Sequence, residues 1–293
     1  TAAKHDTYYI YDQFNNLSAV VPPLANGDAT ETSLNNLGYQ YKYDYRNRLV
    51  EKKLPGKQWE FIIYDKLDRP VATGPAFSPY GENSVGWMIT EYDVFGRVTQ
   101  TGWKQMPVSE LDRKNNQDSV NDGRAVFALG ANQVLTKNYY DNYSFPGAPS
   151  PTTTLTDVDL PIATNVKGMP TGSWVKVLDN PSSATGETSY TLYDSKYRPV
   201  HSNTTNHLGG YTKVTTNLDW SGKTLYTITK HKRADSAMEL VIKDMFEYSS
   251  QDKLVLHKQQ INNLQEQLIA KNTYDELGQL ISKSVGGIDV TGS

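Results

Sequence analysis

Tyr92-Asp93-Val94-Phe95-Gly96-Arg97-Val98 decides how the rest of the chain is read. Aspartate, two variable residues and a glycine is the order of a type I turn closed by a G1 bulge. The carboxylate accepts hydrogen bonds from turn amides, and the glycine sits where φ is positive. The same order recurs as YDQFNNL from Tyr11, YDYRNRL from Tyr43, YDKLDRP from Tyr64, YDSKYRP from Tyr193, LDWSGKT from Leu218, YSSQDKL from Tyr248 and YDELGQL from Tyr274. With the first residue numbered i, position i+1 is Asp12, Asp44, Asp65, Asp93, Asp194, Asp219, Ser249 or Asp275. Position i+4 is Asn15, Asn47, Asp68, Gly96, Tyr197, Gly222, Asp252 or Gly278, and all but Tyr197 tolerate positive φ. Tyr197 therefore predicts a strained turn or one of another type. Position i+5 is Arg48, Arg69, Arg97, Arg198, Lys223 or Lys253 in six of the eight segments. Tyr140-Asp141 reads as a ninth, degenerate copy.

The flanks read as strands. Tyr39, Tyr41 and Tyr43 alternate with Gln40 and Lys42, the period of a half-buried strand, and Trp59–Tyr64 is rich in β-formers. Leu54-Pro55-Gly56-Lys57 supplies a turn at the opposite end of the hairpins. The expected fold is all-β: antiparallel β-hairpin repeats forming a curved or spiralling sheet strip. One domain spans 1–293, with repeat arms at about 1–103 and 191–293 and a loop-rich insertion at about 104–190. The insertion carries a short helix near Val108–Lys114, and Pro, Ser, Thr and Gly make most of 141–190 loop. Ile261–Ala270 reads as a hairpin turning at Asn262-Asn263.

Composition removes several classes of function. Lys+Arg number 29 against 32 Asp+Glu, so no basic excess suggests nucleic acid. Cys is 0, which excludes disulfides, thiol nucleophiles and cysteine-ligated zinc within the chain. No apolar run reaches the ~18–20 residues of a membrane-spanning helix. Of the five histidines, His201 and His207 share a polar stretch and read as exposed rather than as metal ligands. Ser250 and Lys253 match an S-x-x-K pattern, but they fall inside a turn. A catalytic carboxylate pair is unique in a chain, whereas these aspartates recur. No catalytic residue, metal or cofactor is expected. Tyrosine is in excess at 20 against 7 Phe and 5 Trp. An exposed aromatic platform would suit a sugar, with Trp174 and Trp220 as the candidates, against packing within the sheet as the plainer role.

The motif resembles the YD repeat of the RHS family, roughly Tyr-Asp-x-x-Gly-Arg-Leu, with YDVFGRV and YDELGQL nearest to it. YYIYDQFNNLSAVVPPLA, YDYRNRLVEKKLPG followed by YDKLDRPV, and TGSWVKVLD are also similar to stretches of large RHS proteins of Bacteroides-like bacteria. The resemblance implies a hairpin strip that spirals into part of a hollow shell. In bacterial toxins of this type the shell encloses a C-terminal cytotoxic domain, released by a self-cleaving segment with paired aspartates near a Pro-rich motif. Asp157 and Asp159 lie mid-chain in TDVDLP, so neither cargo nor release machinery is expected here. The resemblance implies a non-enzymatic structural segment of a large exported protein, secreted or at the cell surface, although the chain opens with no signal-peptide pattern. The implied partners are the remainder of the parent polypeptide, including an encapsulated C-terminal effector. A carbohydrate- or cell-surface-binding module is the alternative, and open strand edges favour self-association.

The basic residue at i+5 reads as pairing with a turn aspartate at the surface, an interaction worth about 0–1 kcal/mol. Gly96→Val is therefore expected to lower the melting temperature far more than Arg97→Ala. Equal shifts would contradict a turn-defining role for the motif.

Overall fold

The computed structural model describes residues 5–149, 155, 157–158 and 161–287. Its strands are β1 (Tyr8–Tyr11), β2 (Leu17–Val21), β3 (Tyr39–Tyr43), β4 (Leu49–Lys53), β5 (Trp59–Tyr64), β6 (Pro70–Phe77), β7 (Val85–Tyr92), β8 (Val98–Gln105) and β9 (Val134–Asp141). They continue as β10 (Val166–Lys176), β11 (Gly186–Tyr193), β12 (Pro199–Thr205), β13 (Gly209–Leu218), β14 (Thr224–Ala234), β15 (Leu240–Tyr248), β16 (Leu254–Ile261), β17 (Gln267–Tyr274) and β18 (Leu280–Ser284). The helices are α1 (Glu31–Leu37) and α2 (Glu110–Asn121).

Sequence neighbours pair antiparallel from β1 through β8 and again from β10 through β18. The fold is all-β, a meander of hairpins. The chain divides into two compact units, one of residues up to Thr136 with Leu178–Ala184, the other of Lys137–Val177 and residues from Thr185 onward.

All eight motif hairpins share one irregularity. The register slips by one residue next to position i: at Ile10/Tyr11, Lys42/Tyr43, Ile63/Tyr64, Glu91/Tyr92, Leu192/Tyr193, Asn217/Leu218, Glu247/Tyr248 and Thr273/Tyr274. In β5–β6, Tyr64 pairs with Pro70 and Ile63 with Ala72, which leaves Val71 as the extra residue. A bulge of this kind strengthens the local right-handed twist, so the motif coils each hairpin as well as turning it.

In the first unit, Phe61, Ile63, Ala72, Trp87 and Ile89 share one face of β5–β7 and pack with Phe127. Trp87 is fully buried, and its indole donates to the Pro107 carbonyl at 3.0 Å. It fits because Gly74 lies beneath it; a Cβ there would stand 3.1 Å from the ring. Helix α2 covers the neighbouring strands with a polar face. Arg113 reaches the buried Glu51 at 3.1 Å, and the Gln117 amide accepts from the Tyr64 N–H at 3.0 Å and donates to its carbonyl at 2.8 Å. In the second unit, Val166, Leu192 and Val200 are buried together with the polar Thr171, His201, Asn203 and Thr215.

The region 104–190, expected to be loop-rich with one short helix, holds the longer helix α2 and also β9, β10 and the start of β11. The helix begins where Ser109 caps the Asp112 N–H and runs seven residues beyond the expected Lys114. Its length was hidden because its buried positions, Arg113 and Gln117, are polar. Strand β10 was hidden by Gly168, Pro170 and Gly172. Glycine is needed at 172 because Phe145 lies over it, where a Cβ would come within 2.4 Å of the ring. The hairpin β16–β17 turns at Asn262, whose φ is 51°.

Candidate functional site

The repeated residues line one margin of each hairpin. Around Asp65, one carboxylate oxygen accepts the Leu67 and Arg69 amides at 2.9 and 3.0 Å, and the other accepts Arg69 Nε at 2.7 Å. Two backbone bonds, Asp65 N–H to the Arg69 carbonyl and Asp68 N–H to the Asp65 carbonyl, close the loop, with Asp68 at φ 61°. Asp44, Asp93 and Asp194 repeat this arrangement with Arg48, Arg97 and Arg198, each Nε at 2.7 Å. Asp12 and Asp275 hold the same two amides, without an arginine. Asp219 accepts from the Gly222 and Lys223 amides and from Ser221 Oγ. Where Ser249 replaces aspartate, its Oγ accepts the Gln251 and Lys253 amides at a longer 3.2 Å. Ser250 and Lys253 thus lie within this turn.

The margin also joins each hairpin to its neighbour. Arg48 Nη1 donates to the Asp65 carbonyl at 3.5 Å, Arg69 Nη1 to the Asp93 carbonyl at 3.2 Å and Arg198 Nη1 to the Asp219 carbonyl at 3.0 Å. The cation also stacks on the next motif tyrosine: Arg48 over Tyr64 at 4.9 Å, Arg69 over Tyr92 at 4.6 Å and Lys223 over Tyr248 at 5.8 Å. The tyrosines reach the other way. Tyr64, Tyr92 and Tyr274 donate to the Leu49, Pro70 and Leu254 carbonyls at 2.7, 2.9 and 2.9 Å. Each acceptor is residue i+6 of the preceding motif. Tyr193 makes the corresponding bond to Pro170 of β10 at 2.6 Å. Arg48, with its side chain only 9% exposed, corrects the expectation of surface pairs.

Burial pushes the Asp44, Asp65, Asp93 and Asp194 carboxyls up, but turn amides and the arginine outweigh it and hold each below the ordinary aspartate range. For Asp12 the Asn16 amide is the largest influence, in the same downward direction. Asp219 is drawn down to about 2: desolvation opposes the shift, and Ser221 with the Lys223 and Gly222 amides overcomes it. Burial raises the Tyr43, Tyr64, Tyr92 and Tyr193 hydroxyls, and the last three are donors in the bonds above. These carboxylates are ionised acceptors enclosed by their own turns, a poor starting point for proton transfer.

The turn at Tyr197 has the ordinary backbone bonds of the other copies, with Tyr197 itself at φ 60°. Of the two expectations, strain is the outcome, because a bulky side chain is forced into the left-handed region. One further turn of this kind lies outside the eight motif segments. Asn206 accepts the Leu208 and Gly210 amides at 3.0 and 2.8 Å, with Gly209 at φ 76°. Its signal was Asn206-His207-Leu208-Gly209, with asparagine in place of aspartate. Tyr140-Asp141 is not a copy: Asp141 itself has φ 69° and accepts from the Gly168 amide at 2.6 Å.

The two candidate tryptophans differ. Trp220 is 85% exposed at a turn tip, with Lys196 Nζ 4.4 Å from its ring. Trp174 is half-buried against Gly186 and is not an open platform. His201, read as exposed, is buried and bonded to Thr215 Oγ1 at 2.8 Å, because the inward face of β12 is polar. His207 is exposed beside Glu187 at 2.8 Å. Asp157 pairs with Lys230 at 2.8 Å, and Asp159 lies outside the described residues. The variable tip positions expose Phe14, Tyr45, Leu67, Val94 and Phe95 in the first unit and Trp220 and Leu277 in the second.

No protein-family model matches the chain, and no curated protein sequence does. Similar solved structures include a chain of the Photorhabdus luminescens Tc holotoxin pore, at 11% identity and TM-score 0.39, covering 95% of this chain. Chains of the TcdB2-TccC3-Cdc42 and TcdB2-TccC3-TEV crystal structures align over the same share, at 10% and 11% identity and TM-scores of 0.37 and 0.38. The chain spans 14% of the length of each of these. The fold assignment rests on the strand registers. Among the described residues, no helix is long and apolar enough to cross a membrane.

The pH dependence follows from the aspartates. The folded pKa values of Asp12, Asp44, Asp65, Asp93, Asp194 and Asp219 lie below the unfolded value of about 3.9, so their stabilisation is complete above about pH 4 and is lost as pH falls through the folded values. With Asp219 at about 2, the melting temperature is expected to drop between about pH 4 and pH 2. Circular dichroism melts across that window check it; an unchanged melting temperature down to pH 2 would show that the carboxylates do not stabilise the fold.

Proposed function

We propose that this chain is a non-enzymatic structural segment of RHS type, a hairpin scaffold belonging to a larger exported protein. One observation carries the reading: the motif side chains are engaged by their own turn and by the adjacent hairpin, in the same way from copy to copy. A catalytic centre gathers unlike groups at one place; these groups are alike and spread along a margin. Stacking supplies contacts that a lone hairpin lacks, which is the working principle of repeat scaffolds. In this reading the parent is secreted or cell-surface, and the scaffold's partners are the rest of the parent and an enclosed C-terminal effector.

A second reading, a carbohydrate- or cell-surface-binding module, is favoured by the exposure of Trp220 beside Lys196. Trp174 contributes less because its ring is partly covered. A glycan array probed with the folded chain and with Trp220→Ala separates the readings. The scaffold reading expects no retained glycan and matching profiles for the two proteins. A glycan held by the native chain and lost in the variant would replace it with the second reading.

A further inference from the structure

Away from the motif margin, the first unit carries an apolar cleft where β5 begins. A cavity of about 620 Å³ is walled by Trp59, Phe61, Pro75, Val85, Met106 and Val108. A second hollow of about 570 Å³ shares Trp59, Pro75 and Val85 and extends to the exposed Phe77. Both volumes fall in the ~300–1,000 Å³ range of small-molecule sites. None of these residues belongs to a motif copy.

The charges around the cleft select its ligand. Lys53 and Lys57 line it, as do Gln58 and Ser109. The nearby carboxylates already have cations: Glu51 holds Lys42 and Arg113, Glu110 holds Lys114 and Lys42, and Glu60 holds Lys52. Lys42 also sits 4.6 Å from the Trp59 ring centre. Lys53 donates to a neutral amide, Asn35 Oδ1, at 2.6 Å. Among the described residues, neither Lys53 nor Lys57 is paired with a carboxylate. The half-buried Lys53 ammonium and the turn-borne Lys57 therefore lie beside an apolar hollow whose one lining carboxylate, Glu60 at its outer part, is taken up by Lys52. Burying a charge favours a partner of opposite sign, while the walls favour hydrocarbon or an aromatic ring.

We propose that this cleft binds an amphiphile with one anionic head, the head at Lys53 and Lys57 and the apolar body along Trp59, Phe61, Met106 and Val108. A neutral glycan would leave the ammonium groups uncompensated and would meet few acceptors on these walls. The site is independent of the scaffold reading, since a structural segment can carry it without any catalytic group.

Methionine methyl NMR tests the proposal on the intact chain, which holds 5 methionines, of which Met106 lines the cleft. Met106→Leu assigns the resonance. Decanoate below its micelle concentration is expected to shift the Met106 methyl saturably and leave the Met238 methyl in place, while decylammonium produces no saturable shift. Lys57→Glu, on an exposed turn, is expected to weaken decanoate at least fivefold with the melting temperature unchanged. No shift at Met106, equal response to the cationic amphiphile, or scattered shifts at all the methionines would each overturn the assignment. So would full retention of decanoate affinity in Lys57→Glu.

Discussion

The structure depends on a contact between hairpins at their motif margin. An arginine bound to its own turn aspartate extends Nη1 to the next turn's carbonyl, and at Arg48 and Arg69 it also lies over the next tyrosine. That tyrosine returns a hydrogen bond to the hairpin that carries the arginine. A partly exposed cation–π contact is worth about 0.5–1 kcal/mol, and a net hydrogen bond about 0.5–1.5 kcal/mol. Repeated at successive hairpins, these increments couple elements that are marginal alone, since an isolated two-stranded hairpin is barely stable in water. The aspartate has two tasks: it fixes the turn and holds the guanidinium where it can reach forward.

Departures from the motif show which parts of this link are separable. Leu218 offers no ring at position i, yet Arg198 still reaches the Asp219 carbonyl. Ser249 keeps the turn with longer bonds and no charge. Asp12 and Asp275 have no basic residue at i+5, yet both keep the turn; Asn16 at that position reaches Asn47 of the next hairpin at 3.2 Å, and Tyr274 keeps its bond to Leu254 of the preceding one. Turn formation therefore belongs to position i+1, and coupling between hairpins to positions i and i+5. The register slip beside position i occurs in all of these hairpins, so the coil it adds does not require the arginine.

Much of this was legible in the sequence, because a turn with positive φ imposes a narrow residue choice and the chain repeats that choice. The meander, the Asn262 turn and the strain at Tyr197 came from backbone chemistry that single residues reveal. What was not legible depended on contacts between distant segments. The forward reach of Arg69 and the backward bond of Tyr92 need adjacent hairpins in register, which the motif alone does not state. Helix α2 was underestimated because its buried face is Arg113 and Gln117, which pair with Glu51 and the Tyr64 backbone instead of making an apolar stripe. His201 was misjudged for a similar reason, its polar neighbourhood being an interior one. The cleft at Trp59 is assembled from β5, β6, β7 and the segment before α2, which no local pattern joins.

The most direct measurement of the coupling is a double-mutant cycle between Arg69 and Tyr92, using Arg69→Ala, Tyr92→Ala and the double variant in urea unfolding. The account predicts that the two losses are less than additive, with a coupling energy of about 0.5–1 kcal/mol, the range for a partly exposed cation over a ring. Fully additive losses would contradict it, leaving the motif as a set of independent turns.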